Sequence, residues 1–366
     1  MKISTHFAAL CLFTAGFAAP AAAQEVTKGG MDETGAYNVV VGWFKPGIDR
    51  WDQRVVSVAA DTPNRIVIGA NDRSLTLAGY PLLAADGTVM KEKTVVPTDM
   101  SPAKIQVNQL MVLNGDGKMI ENWSQWNDLI SIPHSLKFDP YDKTRPLWVV
   151  DRTGQQILKF SNDGKKLLLK VGENGVAGKD HNHFDEPAGM ALMPDGSFYI
   201  ADGYKNARVI KFDKNGKFLL EWGTPGNGPS QFRLVHAVTV DADNRVLVSD
   251  RANNRIQVFD LGGKLLDIWP NVRAATRIHA AADGSYWVAS QGYNRFGKFD
   301  ANGKHLYHWG MTGAEPGQMD NPHQWGVDQD NNLYVADANN DRVQKFVPRK
   351  TADQSHVVMQ EVVLKK

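Results

Sequence analysis

Cysteine is almost missing from this chain: of its 366 residues only Cys11, near the start, carries a thiol. No disulfide can form within the chain, so its stability must come from a buried core, which a chain of this length can build. An excess of either charge is also missing, with 41 Lys and Arg against 40 Asp and Glu. There is no basic stripe of the kind that nucleic acid or an anionic membrane would need.

Long hydrophobic runs are missing as well, since a bilayer-spanning helix needs about 20 apolar residues in a row. The first residues instead predict an export signal over 1–23. Lys2 supplies the charge, Phe7 to Phe17 the apolar stretch, and Ala21 to Ala23 the small residues before the cleavage site. Cys11 does not end a lipobox and would be lost with the signal. We expect an exported protein, periplasmic or secreted, with no membrane contact after cleavage.

Glycine and tryptophan are frequent, at 33 and 10 residues, which favours short strands and turns over helices. A repeat accounts for both. One copy reads PAGMALMPDGSFYIADGYKNARVIKFDKNGKFLLEWG, and further copies begin near Pro133, Val235, Thr276 and Pro322. A weaker copy follows Val55. Each copy predicts four short strands in about 40 to 50 residues, which is the pattern of a propeller blade.

An acidic or serine marker ends the second predicted strand of each copy. The six markers are Asp72, Asp151, Asp202, Asp250, Ser290 and Asp337. They predict an all-β, six-bladed β-propeller that fills residues 24–366 as one domain, with an insertion at about 84–129. Residues 37–43 and 357–364 also read as strands, and one of them should close the ring. From about Val55 to Val347 the Asp-x-x-Asn-x-Arg-Ile-x-x-Phe pattern resembles NHL repeats, a family that includes enzymes and binding scaffolds alike.

Histidine recurs at one position of the repeat. Fourteen residues before each marker lie Val58, Ala188, His236, Thr276 and His323, and an insertion in the second copy moves the equivalent residue to His134. Innermost strands line the central channel, so alternate blades two, four and six would bring three imidazoles together on the axis. Three histidines with an open position form the catalytic arrangement of zinc, although manganese, iron or copper would also accept imidazole. Local packing would explain one such histidine, but hardly three in strict alternation.

The residues that follow the markers should face the same end of the channel. They are Arg73, Arg152, Tyr204 (one residue further on) and Arg251. A tyrosine between arginines could act as a general base, because neighbouring cations favour the phenolate, and arginine can bind a carboxylate in bidentate fashion. Arginine after the marker also occurs in non-enzymatic blades, where it is structural. We take Arg251 as the stronger candidate for the site and Arg152 as the weaker one. Four later arginines predict structural pairs between blades: Arg208, Arg255, Arg295 and Arg342.

Several stretches are similar to a narrower family, the peptidyl-α-hydroxyglycine α-amidating lyases, which form the lyase domain of peptidylglycine α-amidating enzymes. They are IPHSL, NHFDEPAGMAL, ADGYKNARVIKF, GKFLLEWG, VHAVTV with SDRANNRIQVF, and NPHQWG with VADANNDRVQKF. The resemblance implies zinc at His134, His236 and His323. It implies a catalytic tyrosine at Tyr204 and channel arginines at Arg251 and Arg73, the last after a two-residue insertion.

The resemblance also implies a reaction. A peptide or small molecule ending in α-hydroxyglycine would lose its C–N bond, giving an amide and glyoxylate, with zinc polarising the hydroxyl and Tyr204 taking its proton. The family's structural calcium uses an aspartate directly after the third zinc histidine. Gln324 stands at that position, so Val58 and Leu136 could offer only backbone carbonyls, and the sequence leaves open whether calcium binds.

Two other functions compete with a carbon–nitrogen lyase. A non-enzymatic exported scaffold would use a propeller face to bind protein or glycan. A metal-dependent hydrolase such as a lactonase would need carboxylate and amide ligands on the axis, where the sequence places imidazole and apolar side chains. The natural substrate, the metal and the oligomeric state are left open by the sequence.

Overall fold

The computed structural model describes residues 33–47, 53–72, 82–83, 89–90 and 108–365, so the predicted signal (1–23) and Arg73 lie outside the described residues. Within them the secondary structure is nearly all strand, with a few 3₁₀ turns and no α-helix. In chain order the strands are β1 (Tyr37–Val39), β2 (Gln53–Thr62), β3 (Arg65–Asp72), β4 (Leu82–Leu83), β5 (Val89–Met90), β6 (Leu110–Leu113), β7 (Met119–Asn122), β8 (Pro133–Phe138), β9 (Leu147–Asp151), β10 (Gln156–Phe160), β11 (Leu167–Gly172), β12 (Pro187–Leu192), β13 (Phe198–Asp202), β14 (Arg208–Phe212), β15 (Phe218–Trp222), β16 (Thr224–Pro225), β17 (Gln231–Phe232), β18 (Val235–Val240), β19 (Val246–Asp250), β20 (Arg255–Phe259), β21 (Leu265–Pro270), β22 (Ala275–Ala280), β23 (Tyr286–Ser290), β24 (Arg295–Phe299), β25 (His305–Trp309), β26 (Pro322–Val327), β27 (Leu333–Asp337) and β28 (Arg342–Pro348).

Six four-stranded antiparallel sheets form the blades of a propeller. Their strand orders are β2-β3-β6-β7, β8-β9-β10-β11, β12-β13-β14-β15, β18-β19-β20-β21, β22-β23-β24-β25 and β26-β27-β28-β1. The outer strand of the sixth blade comes from the N-terminal side, where Tyr37 pairs with Pro348. This pairing closes the ring, because a strand from the start of the chain completes the blade that the end of the chain forms. The six-bladed propeller predicted from the sequence is confirmed.

Burial of the strands differs with their position in a blade. The second strands β9, β13 and β19 are buried along their whole length, because both faces pack against neighbouring blades. The outer strands β11 and β15 instead alternate between half-buried and exposed residues. Each blade therefore presents one sheet face to each neighbour, and the core is distributed around the ring.

The glycine after an outer-strand tryptophan has a steric role. Gly223 and Gly310 both have positive φ, at +107° and +117°. A Cβ on Gly223 would lie 2.7 Å from the carbonyl oxygen of Ala207, and one on Gly310 would lie 2.7 Å from that of Asn294. Only glycine allows the chain to turn there towards the next blade.

A β-bulge interrupts the innermost strand of every blade. In blades two to six it directly follows the residue that pairs with the end of the second strand. The residues at the bulge are Val56, His134, Ala188, His236, Thr276 and His323. A bulge re-aims a side chain relative to a regular strand. The repeat thus redirects one residue per blade, and histidine occupies this position in blades two, four and six.

The equivalence of Val58 to these residues was wrong. In the first blade Val55 pairs with Ala70, and the β2–β3 hairpin continues past that point until Gln53 pairs with Asp72. The structural counterpart of the markers is therefore Ala70, and the bulge residue is Val56. Counting back from an aspartate failed because this hairpin is longer than those of the other blades.

The C-terminal segment does not form the strand that the sequence predicted over 357–364. Among the described residues it makes only one isolated bridge, between Ala281 and Glu361. Backbone hydrogen bonds from Ala282 to Gln360 and from Val362 to Ala280, both 2.8 Å, hold it against the start of blade five. The segment crosses the end of the innermost strands instead of extending a sheet.

Three of the four arginines predicted to link blades also bind within their own blade. Their outer guanidinium nitrogens donate to carbonyls of the connection from the preceding blade, at Lys179, Gly228 and Ala314. Arg208 pairs with Asp202, Arg255 with Asp250 and Arg342 with Asp337, each at 2.8–2.9 Å and each to the marker of its own blade. Among the described residues, no helix is long and apolar enough to cross a membrane.

Candidate metal centre

Three imidazoles converge on the propeller axis. His134, His236 and His323 lie at the bulges of β8, β18 and β26, and all three side chains are buried. One ring nitrogen from each lies within 4.8 Å of the corresponding nitrogens of the other two. Ring centroids are 4.5–5.2 Å apart. The alternation seen in the sequence therefore becomes a three-sided cluster in space.

The odd-numbered blades orient the rings. Nδ1 of His134 lies 2.7 Å from the carbonyl oxygen of Ala188, and Nδ1 of His236 lies 2.7 Å from that of Thr276. Nδ1 of His323 lies 2.6 Å from the carbonyl oxygen of Val56. A carbonyl can only accept, so Nδ1 of each ring carries the proton. Each Nε2 is therefore left with a lone pair. Such carbonyl partners are typical of metal-ligating histidines.

Burial and nearby charge keep the imidazoles neutral. Burial lowers the pKa of His323 to about 3, with Arg251 and Arg152 acting in the same direction. Burial also lowers the pKa values of His134 and His236 well below the usual range, and neighbouring imidazoles and arginines add to the effect. Neutral imidazole is the form that binds a metal.

Tyr204 approaches the cluster from the loop after β13. Its hydroxyl lies 2.9 Å from Nε2 of His134 and 2.8 Å from Nε2 of His236. Both nitrogens are acceptors, because their rings are protonated at Nδ1, yet the phenol has only one proton to donate. A surplus of lone pairs therefore points into one small volume. This is the environment of a cation, and three buried histidines of this kind could bind a metal.

Two arginines flank Tyr204. Nη1 of Arg251 lies 3.5 Å from the Tyr204 hydroxyl, and the guanidinium carbon of Arg152 lies 4.1 Å from the centre of the Tyr204 ring. Arg152 also forms an ion pair with Glu186, in which its Nε donates at 2.7 Å. The structure thus brings together His134, His236, His323, Tyr204 and Arg251. Sequence reasoning ranked Arg152 lower and gave Glu186 no role, although Glu186 lies within the stretch NHFDEPAGMAL that carries the resemblance.

The residues expected near a calcium ion do not fit one. Gln324 donates its amide to the Thr276 carbonyl at 3.4 Å, and Val58 pairs with Ile68 within the first blade. Leu136 and Gln324 line a cavity of only about 20 Å³, which the guanidinium-bearing Arg277 and the carboxylate-bearing Glu361 also line. A fixed cation beside the cavity opposes a second one, and among the described residues that line it Glu361 is the one carboxylate, which already pairs with Lys137 and Arg277.

Glu361 enters this end of the channel from the C-terminal segment. Its carboxylate lies 2.6 Å from Nζ of Lys137 and 3.6 Å from Nη2 of Arg277, which belong to blades two and five. Burial opposes the charge, but Lys137 and Arg277 outweigh it and lower the pKa of Glu361 to about 2. An internal carboxylate therefore bridges the two channel cations and offsets one of their two positive charges.

The fold and the centre define a six-bladed β-propeller with a buried histidine cluster on its axis. The family DUF5128, described as "6-bladed beta-propeller", matches residues 179–298. A solved structure of a protein of unknown function from Bacteroides thetaiotaomicron aligns with a TM-score of 0.52 at 10% identity. It covers 85% of this chain and 72% of that one, and at this identity it shows the fold alone.

The chain is homologous to peptidyl-α-hydroxyglycine α-amidating lyases and NHL repeat proteins, at 28–32% identity. It is 28% identical to peptidyl-glycine α-amidating monooxygenase B of Xenopus laevis over 69% of this chain and 30% of that protein. It is 32% identical to a probable peptidyl-α-hydroxyglycine α-amidating lyase of Caenorhabditis elegans over 42% of this chain and 43% of that one. Human NHL repeat-containing protein 3 is 31% identical over 50% and 56% of the two chains. The chain thus spans less than half the length of these two amidating relatives.

Proposed function

We propose that the protein is a carbon–nitrogen lyase that converts an N-acyl-α-hydroxyglycine or a peptidyl-α-hydroxyglycine into an amide and glyoxylate. The observation that carries the proposal is the phenol of Tyr204 placed between the Nε2 atoms of two of three converging imidazoles. Homologues named as amidating lyases favour this reaction over other uses of a three-histidine centre.

His134, His236 and His323 would hold the metal, and we propose zinc because neutral imidazole and a buried three-ligand site suit it. When bound, zinc supplies a Lewis acid that polarises the substrate hydroxyl oxygen. Carbonyls of Ala188, Thr276 and Val56 keep the three Nε2 atoms directed at one point. These three carbonyls would fix the orientation of the imidazole rings before the substrate binds.

One side chain, Tyr204, can carry out both proton transfers of the reaction. In its phenolate form Tyr204 takes the hydroxyl proton, and the O–H electron pair becomes the second bond of the aldehyde carbonyl. The C–N bond breaks with its electron pair on nitrogen, and a proton returned through the same oxygen completes the amide. Tyr204 therefore ends each turnover as it began, which suits a general base that also acts as an acid.

Arg251 supplies positive charge beside that phenol oxygen, at 3.5 Å. We propose that it stabilises negative charge on the oxygen atoms during proton transfer and helps bind the substrate carboxylate. Arg73 lies outside the described residues, and its share in carboxylate binding is proposed from the sequence alone. Export to the periplasm or beyond, directed by residues 1–23, is proposed on the same basis.

Glyoxylate release tests the proposal. Zinc-loaded protein is incubated with N-benzoyl-α-hydroxyglycine, and glyoxylate is quantified over time. We expect turnover by the wild type and by Tyr293→Phe, in which an exposed tyrosine of blade five is altered, and loss of turnover in His236→Ala. No release by zinc-loaded wild type, or full release by His236→Ala, would overturn it.

A second candidate is a non-enzymatic scaffold, because the chain is also similar to a human protein named only for its NHL repeats. A scaffold has no need of the histidine cluster. Purified protein without stoichiometric metal, or with metal content unchanged in His236→Ala, would favour it.

A further inference from the structure

Tyr204 is held by Glu186 in two ways. The Tyr204 backbone N–H donates to the Glu186 carbonyl at 3.2 Å, and the Glu186 carboxylate pairs with Arg152, whose guanidinium covers the Tyr204 ring at 4.1 Å. The Glu186 backbone N–H is fixed in turn by Oε1 of Gln155 at 2.6 Å. These contacts form a closed triangle of three residues beside the histidine cluster.

The repeat shows which part of the triangle is unusual. Glu186 directly precedes the first residue of β12, and its counterparts before the innermost strands of blades two, four, five and six are Ile132, Leu234, Ala274 and Asn321. Positive φ is shared by Glu186, Ala274 and Asn321, at +56°, +44° and +59°, but not by Ile132 and Leu234, so the backbone shape is common to three of these five blades. The carboxylate is not shared, since blade three alone has one among these five blades.

Arg152 and Arg251 are equivalent residues made different by this carboxylate. Each follows the marker of its blade, and each donates its backbone N–H to the residue before the innermost strand, Ile132 at 2.9 Å and Leu234 at 2.8 Å. Blade three lies between their blades, so the two arginines flank Tyr204. Arg251 reaches the hydroxyl, whereas Arg152, bound to Glu186, lies over the ring face.

We propose that Arg152 is a positioning residue, which Glu186 holds against the ring of Tyr204 so that the phenol oxygen stays between His134 and His236. This inference rests on the proposed lyase function for its kinetic consequences, but its geometric content stands apart from it. The planar guanidinium stacks on the aromatic face, which an ammonium group cannot reproduce. The side chains of Arg152 and Glu186 are only 12% and 16% exposed, so solvent screens the pair little.

Three substitutions test the triangle: Arg152→Met, Arg152→Lys and Glu186→Gln. We expect each to lower kcat by about tenfold with KM changed less than about twofold, because a displaced general base slows the reaction without removing substrate contacts. Arg152→Lys should not restore kcat, since the charge is kept and the stacking is lost. Glu221→Gln is the matched control: Glu221 also pairs with an arginine of blade three, Arg208, but on the outer strand β15. It should leave kcat unchanged.

A crystal structure of Glu186→Gln gives a second readout that does not depend on turnover. We expect the Tyr204 hydroxyl to leave its place between the two Nε2 atoms, while the control keeps it. If wild-type protein shows no lyase activity, the proposed function fails and this structure alone decides the positioning role. Three results would overturn that role: wild-type kcat in Glu186→Gln, restoration by Arg152→Lys, or an unmoved Tyr204. A raised KM at unchanged kcat would likewise overturn it and identify Arg152 as a substrate-binding residue.

Discussion

Replacing Glu361 with glutamine should destabilise the propeller more than a single surface substitution would. The carboxylate lies between Lys137 and Arg277 at the channel end opposite the bulges, and Thr239 lies 3.4 Å from it. Side-chain exposures are 24%, 16% and 14% for Glu361, Lys137 and Arg277. Glutamine keeps the shape but leaves two largely buried cations without a counter-charge.

Two approaches give a similar magnitude. Lowering the pKa of Glu361 from 4.5 to about 2 corresponds to about 3 kcal/mol of stabilisation at neutral pH. Breaking a buried ion pair on one side typically costs about 3–5 kcal/mol, and partial exposure reduces that figure. We therefore expect Glu361→Gln to lower the free energy of unfolding by about 2–3 kcal/mol.

Urea unfolding followed by tryptophan fluorescence measures this change, with the exposed Glu315→Gln as control. A carboxyl group with a lowered pKa stabilises the fold above its unfolded pKa, and the stabilisation is lost as the pH falls through the folded value. The difference between wild type and Glu361→Gln should therefore be full near pH 7 and shrink below about pH 4. Adding Lys137→Met should cost less in the Glu361→Gln background than in the wild type. A Glu361→Gln variant within about 0.5 kcal/mol of wild type would refute the reasoning.

Three further outcomes follow from the same contacts. Tyr204→Phe should keep stoichiometric metal but lower kcat for glyoxylate release by about 100-fold or more, and retained activity would remove the tyrosine from the chemistry. Asp202→Asn should destabilise the fold by about 3 kcal/mol in urea titrations, because Asp202 and Arg208 are both almost fully buried, and a change near zero would contradict this. The melting temperature should differ by less than about 1 °C between calcium and a calcium chelator, since Glu361, the one carboxylate among the described residues that line the expected site, is already paired, and a rise of several degrees with calcium would show a site that the described residues do not reveal.

Part of the centre could be predicted from the sequence because it repeats. Counting residues back from each marker was enough to find histidine at one repeat position on alternate blades. The closed ring of blades then places these histidines around one axis. The same count misplaced Val58, because the longer hairpin of the first blade moves an aspartate away from the structural position of the marker. Residues at equal spacing in the sequence revealed the blades, but they did not give the pairing register of the strands in the first blade.

The remainder lay outside the repeat. Glu361 belongs to a segment that resembled another strand, and only the chain path brings it to Lys137 and Arg277. The carboxylate of Glu186 contacts Tyr204 through the side chain of Arg152. The sequence alone does not distinguish this arginine from one that only stabilises a blade. The sequence left calcium open because Gln324 replaces an aspartate, and the guanidinium of Arg277, which lines the same cavity, opposes a second cation there.

The metal content of the purified protein tests the central claim most directly, because the histidine cluster underlies the proposed lyase function. Wild-type protein and the variants His134→Ala, His236→Ala and His323→Ala are loaded with zinc, dialysed and measured by elemental analysis, with His308→Ala as a surface control. If three imidazoles hold one ion, the wild type and the control should retain one zinc per chain, and each cluster variant should retain far less. Wild-type protein without stoichiometric metal, or cluster variants that keep all of it, would contradict the claim.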